Sequence, residues 1–270
     1  ARRGGSSPML KVQRFLLPIA VLALICTGCG SGGLGGSVSL DEEWQLGQQM
    51  AAQVNQQVSL VRDQQALSYV RMVGERLHAS TPLANRPFEF EIVDDPNVNA
   101  FSLPGGHIYI NRGLIVQADK VDMLAGVMAH EISHVVARHV IKQIQQEQTI
   151  SVIGGILLGQ NPNALAQIAA QILAGGAMAR FSRADEKQAD DMGLDLMTRA
   201  GYDPHGMLEM FQKLLSMERS GSSSVARFFQ DHPGTQDRID DISGRISRMG
   251  RTSGIVDDPE YQVTRRRMGG

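Results

Sequence analysis

Apolar residues recur every three or four positions along most of the chain and alternate with polar ones in one short region. Ser39 and Glu42 form a capping-box pattern that predicts a first helix. Ala66, Leu67, Val70, Val73 and Leu77 mark the buried face of a second. Phe88, Phe90 and Ile92 then alternate with Glu89 and Glu91, as in a half-buried strand. Asp94-Asp95-Pro96-Asn97 turns the chain, and Phe101 leads to Pro104-Gly105-Gly106. Ile108 and Ile110 alternate again within His107–Asn111, so a small antiparallel sheet with a Gly-rich turn is expected.

A long helix is predicted over about 119–148, with Leu124, Val127, Met128, Ile132, Val135 and Val136 on its apolar face. The segment 151–179 is rich in Gly, Ala, Ile and Leu and is broken by Asn161-Pro162-Asn163; neither half is long enough to span a bilayer. Packed helices are the expected state, with a mobile lid over a cleft or a membrane-surface contact as alternatives. Further helices are expected over 183–199, 204–217 and 235–249. No internal repeat of 20–50 residues is present, which excludes a solenoid. The predicted class is α+β, mostly helical with one small sheet.

The N-terminal region changes the picture of where the chain works. After Met9 come Lys11 and Arg14, an apolar run over 15–25, and small residues ahead of Cys29, which is the layout of a secretory signal. The run of about 11 residues is too short for a spanning helix, which needs about 20. Residues 1–8, ahead of Met9, are read as an extension from a misassigned start. Both cysteines, Cys26 and Cys29, lie in this region, so the remainder can form no disulfide and must rely on its core. Ile25-Cys26-Thr27-Gly28-Cys29 resembles a bacterial lipoprotein signal, in which a small residue precedes the cysteine that is acylated. Gly28 fits this pattern, while Cys26 departs from the aliphatic residue usual at its position. An ordinary cleaved signal with an incidental cysteine is the alternative.

The expected organisation is therefore a signal over 1–28, a lipidated flexible tether over 29–38, a folded domain over 39–250 and a polar, mobile tail over 251–270. The whole chain has 26 basic and 28 acidic residues. Without the four basic residues of 1–28 the balance is 22 against 28, which gives no electrostatic footprint for nucleic acid.

Candidate chemistry centres on His130-Glu131-Ile132-Ser133-His134, an HExxH pattern. Residues four apart on a helix lie about 40° apart around its axis, so both imidazoles project from one face and can reach one ion. Glu131 sits about 100° round from His130, beside the metal, where it can take a proton from water. Small apolar flanks predict that this helix is buried, and its polar side chains then need partners. His139 does not extend the motif and is expected to be a polar residue on the helix flank. A third ligand is required, and Glu186 is the candidate. Asp190 shares its helical face and can accept a hydrogen bond from a liganding histidine. Asp185 and Asp191 are expected to be exposed neighbours.

Four stretches in order resemble the zinc metallopeptidases of the HtpX and CAAX prenyl protease type, gluzincins with HExxH and a distal glutamate. They are Asn99-Ala100-Phe101 through Pro104-Gly105-Gly106 to Arg112-Gly113-Leu114; His130 to His134; Ser182-Arg183 to Asp190; and Asp231-His232-Pro233 with Arg238. They span roughly 40–250 and match the family's stand-alone periplasmic lipoprotein members better than its membrane-embedded ones. The resemblance implies a zincin-like domain holding one Zn2+ on His130, His134 and Glu186, with Glu131 as general base. It also implies that His232 and Arg238 are catalytic and lie at the open side of the metal. There His232 either hydrogen-bonds the tetrahedral oxyanion or blocks the metal at rest. Asn99, Ala100 and Phe101 resemble the strand edge along which an extended substrate lies.

The expected function is endoproteolysis of unfolded or misassembled envelope proteins, at the periplasmic face of the outer membrane. A zinc-bound assembly chaperone with little proteolysis, and a structural lipoprotein with a fortuitous motif, are the alternatives. The intact Glu131 speaks against the chaperone, because binding alone needs no base there.

Overall fold

The structure, a computed structural model, describes residues 37–175, 180–233, 235–250 and 252–269. The signal, Cys29 and nearly all of the tether lie outside the described residues. Ser37–Gly270 form one compact unit. Helix α1 (Leu40–Gln57) opens on the expected capping box: Glu42 N donates to Ser39 Oγ at 3.2 Å, and Ser39 N donates to the Glu42 carboxylate at 2.8 Å. Helix α2 (Gln64–His78) is capped by Asp63, which accepts from the main chain of Gln65 and Ala66.

Strands β1 (Glu89–Val93), β2 (Ala100–Leu103) and β3 (His107–Asn111) form one sheet in the order β1-β3-β2. The sheet is mixed rather than wholly antiparallel: β1 runs parallel to β3, and β2 antiparallel to it. The link over 94–99 carries the chain past the middle of the sheet, and the tight turn at Gly105 and Gly106 folds β3 back between the outer strands. Both glycines have positive φ, 73° and 83°, which a side chain would resist. β2 is thereby an outer strand. Asn111 N donates to Asn99 O at 2.9 Å, so by antiparallel alternation Phe101 and Leu103 bond inward to β3, and the main chains of Ala100 and Ser102 face outward.

Helix α3 (Arg112–Gln117) leads into α4 (Val121–Val136), which is buried from Val121 to Val135. The single helix expected over 119–148 is broken. Arg138 takes a left-handed backbone (φ 61°), and α5 (His139–Glu147) leaves in a new direction. Arg138 holds the bend by donating from Nε to Glu43 at 2.6 Å and from Nη2 to Val38 O at 2.5 Å. Helices α6 (Ile150–Leu157) and α7 (Pro162–Ala174) break at Asn161-Pro162 as predicted, and both pack on α1. Among the described residues, no helix is long and apolar enough to cross a membrane.

Helix α8 (Arg183–Arg199) begins on a Ser182–Asp185 capping box and lies along α4 with α9 (His205–Arg219). Close approach depends on glycine. A Cβ on Gly193 of α8 would sit 2.7 Å from Met207 Cε and 3.3 Å from His130 N, and one on Gly126 of α4 would sit 2.7 Å from Met207 Cα. Helices α10 (Ala226–Asp231) and α11 (Thr235–Met249) complete the wall around α4.

The tail beyond 250, expected to be mobile, is instead part of the domain. Ile255 bridges to Tyr202, and α12 (Pro259–Arg267) buries Tyr261, whose hydroxyl donates to Ala118 O at 2.8 Å. Within this tail Arg265 and Arg267 bond Asp119 at 2.9 Å and Asp63 at 2.7 Å. Tyr261 and Met268 are buried in the core and Ile255 packs against it, too few and too unevenly spaced in a charged stretch to give an apolar periodicity.

Candidate active site

Helix α4 supplies His130, Glu131 and His134, α8 supplies Glu186 and Asp190, the residue after α10 is His232, and α11 supplies Arg238. All seven are buried. Ligand-type atoms of His130, His134, Glu186 and His232 lie within 4.8 Å of one another. His130 Nε2 is 3.0 Å from His134 Nε2 and 3.3 Å from His232 Nδ1. Glu186 Oε1 is 3.0 Å from His232 Nδ1 and 3.5 Å from His134 Nε2.

Four ligands about 2.1 Å from a tetrahedral centre stand roughly 3.4 Å apart, so this spacing fits a small cation. The buried groups fit as well: Glu131, Glu186 and Asp190 bring three carboxyl groups together with one guanidinium, Arg238. Burial opposes charge on His232, but Glu186 and Glu131 outweigh it and push that imidazole up to about 9, so a cation is favoured at this point. Neither Glu131 oxygen has a hydrogen-bond partner among the described residues, and Oε1 lies 3.4 Å from His232 Nε2.

The surrounding groups fix the imidazoles. Asp190 Oδ1 lies 2.9 Å from His130 Nδ1, which directs His130 Nε2 to the centre. Arg238 grips Asp190 with two bonds of 2.8 Å, pairs with Glu186 and lies 4.6 Å over the Phe211 ring. Burial holds both His130 and His134 down at about 4, so each is a neutral ligand. Burial also opposes charge on Glu186, but His232 and Arg238 outweigh it and hold the carboxyl well below its usual range.

Two expectations change. Arg238 does not line the space beside Glu131 and His232; it stands behind Glu186 and Asp190, because those carboxylates take its guanidinium. His139 is no flank residue. The bend at Arg138 brings it back against α4, with Nδ1 3.0 Å from His134 Nδ1 and Nε2 3.1 Å from Gln188 Oε1. Phe181, which carried no motif, stacks on His134 at 3.9 Å between centroids. Asp185 caps α8 through Ser182, and Asp191 pairs with Arg245.

Asn99, Ala100 and Phe101 lie at the outer strand, and Asn99 Nδ2 donates to Asp231 Oδ2 at 3.2 Å. Between this strand and Glu131 lies a space of only about 10 Å3, closed by Phe101, Val140, Ile172 and Phe181. That is the room of about one water molecule. Helix α7, which carries Ile172, is tied to α10: Arg227 Nη2 donates to Ile172 O at 2.7 Å, and Gln230 Nε2 to Gly175 O at 3.1 Å.

A buried HExxH helix, a distal carboxylate on a neighbouring helix and an outer strand beside them are the parts of a candidate metallopeptidase site. Residues 64–246, which include all seven site residues, match the profile of Peptidase family M48, and the chain belongs to that family. The beta-barrel assembly-enhancing protease of Escherichia coli (strain K12) is 30% identical over 224 residues, 80% of this chain and 46% of that protein. Mitochondrial metalloendopeptidase OMA1 of Schizosaccharomyces pombe is 32% identical over 171 residues, 63% of this chain and 50% of its own length. OMA1 of Arabidopsis thaliana is 31% identical over 180 residues, 66% of this chain and 36% of its own length. The chain thus spans about half or less of the curated relatives it matches.

Proposed function

We propose that this chain is a zinc-dependent endopeptidase that cleaves unfolded or misassembled proteins of the cell envelope. The convergence of His130, His134 and Glu186 beside the Glu131 carboxylate, which accepts no hydrogen bond among the described residues, carries the reading. Those three would hold the metal, and His232 belongs to the same cluster. When bound, zinc acts as a Lewis acid on the scissile carbonyl and makes water acidic enough to give up a proton near neutral pH.

Glu131 takes that proton, since its carboxylate accepts no hydrogen bond among the described residues and borders a space with room for about one water molecule, and it passes the proton on to the leaving amine. His232 would donate from Nε2 to the developing oxyanion once the site opens, a contribution of about 3 kcal/mol. Asp190 and Arg238 act as positioning residues, holding His130 and Glu186 in place. The outward main chain of Ala100 and Ser102 pairs with an extended peptide, which suits clients that have lost their fold. The end of α7 is the lid over this edge, because Ile172 closes the catalytic space.

The name of the Escherichia coli relative, a beta-barrel assembly-enhancing protease, supports a client among proteins in assembly. The sequence around Cys29 supports export and a lipid anchor, hence work at the periplasmic face of the outer membrane. Incubating the zinc-loaded protein with casein, with and without chelator, tests the peptidase. Cleavage that the chelator abolishes is expected, and equal cleavage in both arms refutes the reading.

A further inference from the structure

A cavity of about 700 Å3 opens beside β2 and shares Phe101 with the closed space at Glu131 and His232. Asn99 and Phe101 are two residues apart on extended backbone, so their side chains leave the same face about 6.6 Å apart. Both line the cavity. A peptide paired along the outer edge of β2 presents every second side chain to that face. One of these enters the cavity beside Asn99 while the scissile bond lies at Glu131.

The cavity wall is rich in carboxamides: Gln57, Asn97, Asn99, Asn111 and Gln230. Its carboxylate, Asp95, already accepts from Asn97 N and Nδ2, both at 2.8 Å. Asn99 Nδ2 donates to Asp231 at 3.2 Å and Gln230 Nε2 to Gly175 O at 3.1 Å. In Asn97, Asn99 and Gln230 the amide oxygen is what remains. Asn99 is 4% exposed, and its Oδ1 has no partner among the described residues. The bond to the Asp231 carboxylate fixes the amide, because a flip would set oxygen against oxygen. Arg227, the cationic side chain in the lining, is engaged by Asp231 at 2.7 Å and by Ile172 O at 2.7 Å.

We propose that this cavity is a side-chain subsite for a substrate residue that donates hydrogen bonds without carrying charge, glutamine or asparagine above all, and that Asn99 Oδ1 is its principal acceptor. The inference rests on the peptidase reading. A methionine has the shape of glutamine but leaves the buried Asn99 oxygen unpaired. A glutamate sets lone pair against lone pair and adds charge beside Asp231. Donor recognition by an otherwise unpartnered buried group discriminates more sharply than a methylene in an apolar pocket.

The test uses the zinc-loaded full chain and peptides with one cleavable bond, in which each of three positions on either side is set in turn to Gln, Met or Glu. At one position kcat/KM is expected to fall about tenfold from Gln to Met, the equivalent of about 1.4 kcal/mol, and further to Glu. Asn99→Leu is expected to bring the Gln-to-Met ratio at that position to about one, whatever its absolute rate. The parental series stands alone if that variant does not fold. Zinc-dependent cleavage that is indifferent among the three residues at every position overturns the subsite and leaves the peptidase standing. No cleavage of any peptide overturns both.

Discussion

His232 Nδ1 lies 3.3 Å from His130 Nε2, so this loop histidine joins His130, His134 and Glu186 in one buried cluster of ligand-type side chains. The three helix-borne ligands need no fourth protein group to keep a metal. Alanine at His130, His134 or Glu186 is therefore expected to abolish stoichiometric zinc, whereas His232→Ala retains close to one ion per chain. Metal analysis of the four dialysed variants checks this. Equal loss in all four would make His232 a permanent ligand.

The tie between α10 and α7 predicts a gain of activity. Arg227→Ala removes the bond to Ile172 O and loosens the helix that closes the space at Glu131. Cleavage of an unfolded protein is expected to rise several-fold, with faster amide exchange along α7. Faster exchange without faster cleavage would show that α7 is not the barrier.

Close packing of α8 on α4 predicts a local fault. Gly193→Ala places a methyl 2.7 Å from Met207 Cε, the end of a flexible side chain that can swing aside. The same methyl lies 3.3 Å from His130 N on the helix main chain, which must give way, at a cost of about 1 kcal/mol. Thermal unfolding should drop by roughly 2–4 °C for each kcal/mol. Zinc affinity should fall with it, because the methyl forces apart the two helices that carry the ligands. A variant as stable as the parent would mean that α8 shifts freely.

A pH effect arises away from the metal. Burial pushes the Asp122 carboxyl up to about 7; Lys120 opposes the shift, while Glu209 and Asp203 add to it. A carboxyl raised in the folded state favours folding while it is protonated, and that contribution is lost as pH rises from about 4 through about 7. Asp122→Asn, neutral throughout, should match the parent near pH 4 and exceed its melting temperature near pH 8. Parallel melting curves across that range would contradict the account.

Much of this was legible in the chain because local chemistry sets it. The Ser39 cap, the break at Asn161-Pro162, the alternation through Phe90 and Ile92, and the spacing of His130, Glu131 and His134 are short-range signals. The features that escaped are long-range. The parallel pairing of β1 with β3 depends on where the link over 94–99 carries the chain. The left-handed turn at Arg138 is held by Glu43, 95 residues away, and it is this turn that moves His139 to the back of His134. Tyr261 anchors the C-terminal helix through carbonyls of Ile115 and Ala118, which no periodicity in a polar segment reveals. Arg238 was found by motif but misplaced, since only the fold shows which carboxylates receive it.

The central claim is that Glu131 moves a proton beside a metal held by residues on two neighbouring helices. Its most direct measurement is zinc content and casein cleavage in Glu131→Gln beside the parent. The account predicts one zinc per chain in both proteins and a rate lower by about 10²–10⁴-fold in the variant. Cleavage by the variant at the parental rate, or a parent that holds no stoichiometric zinc, would contradict it.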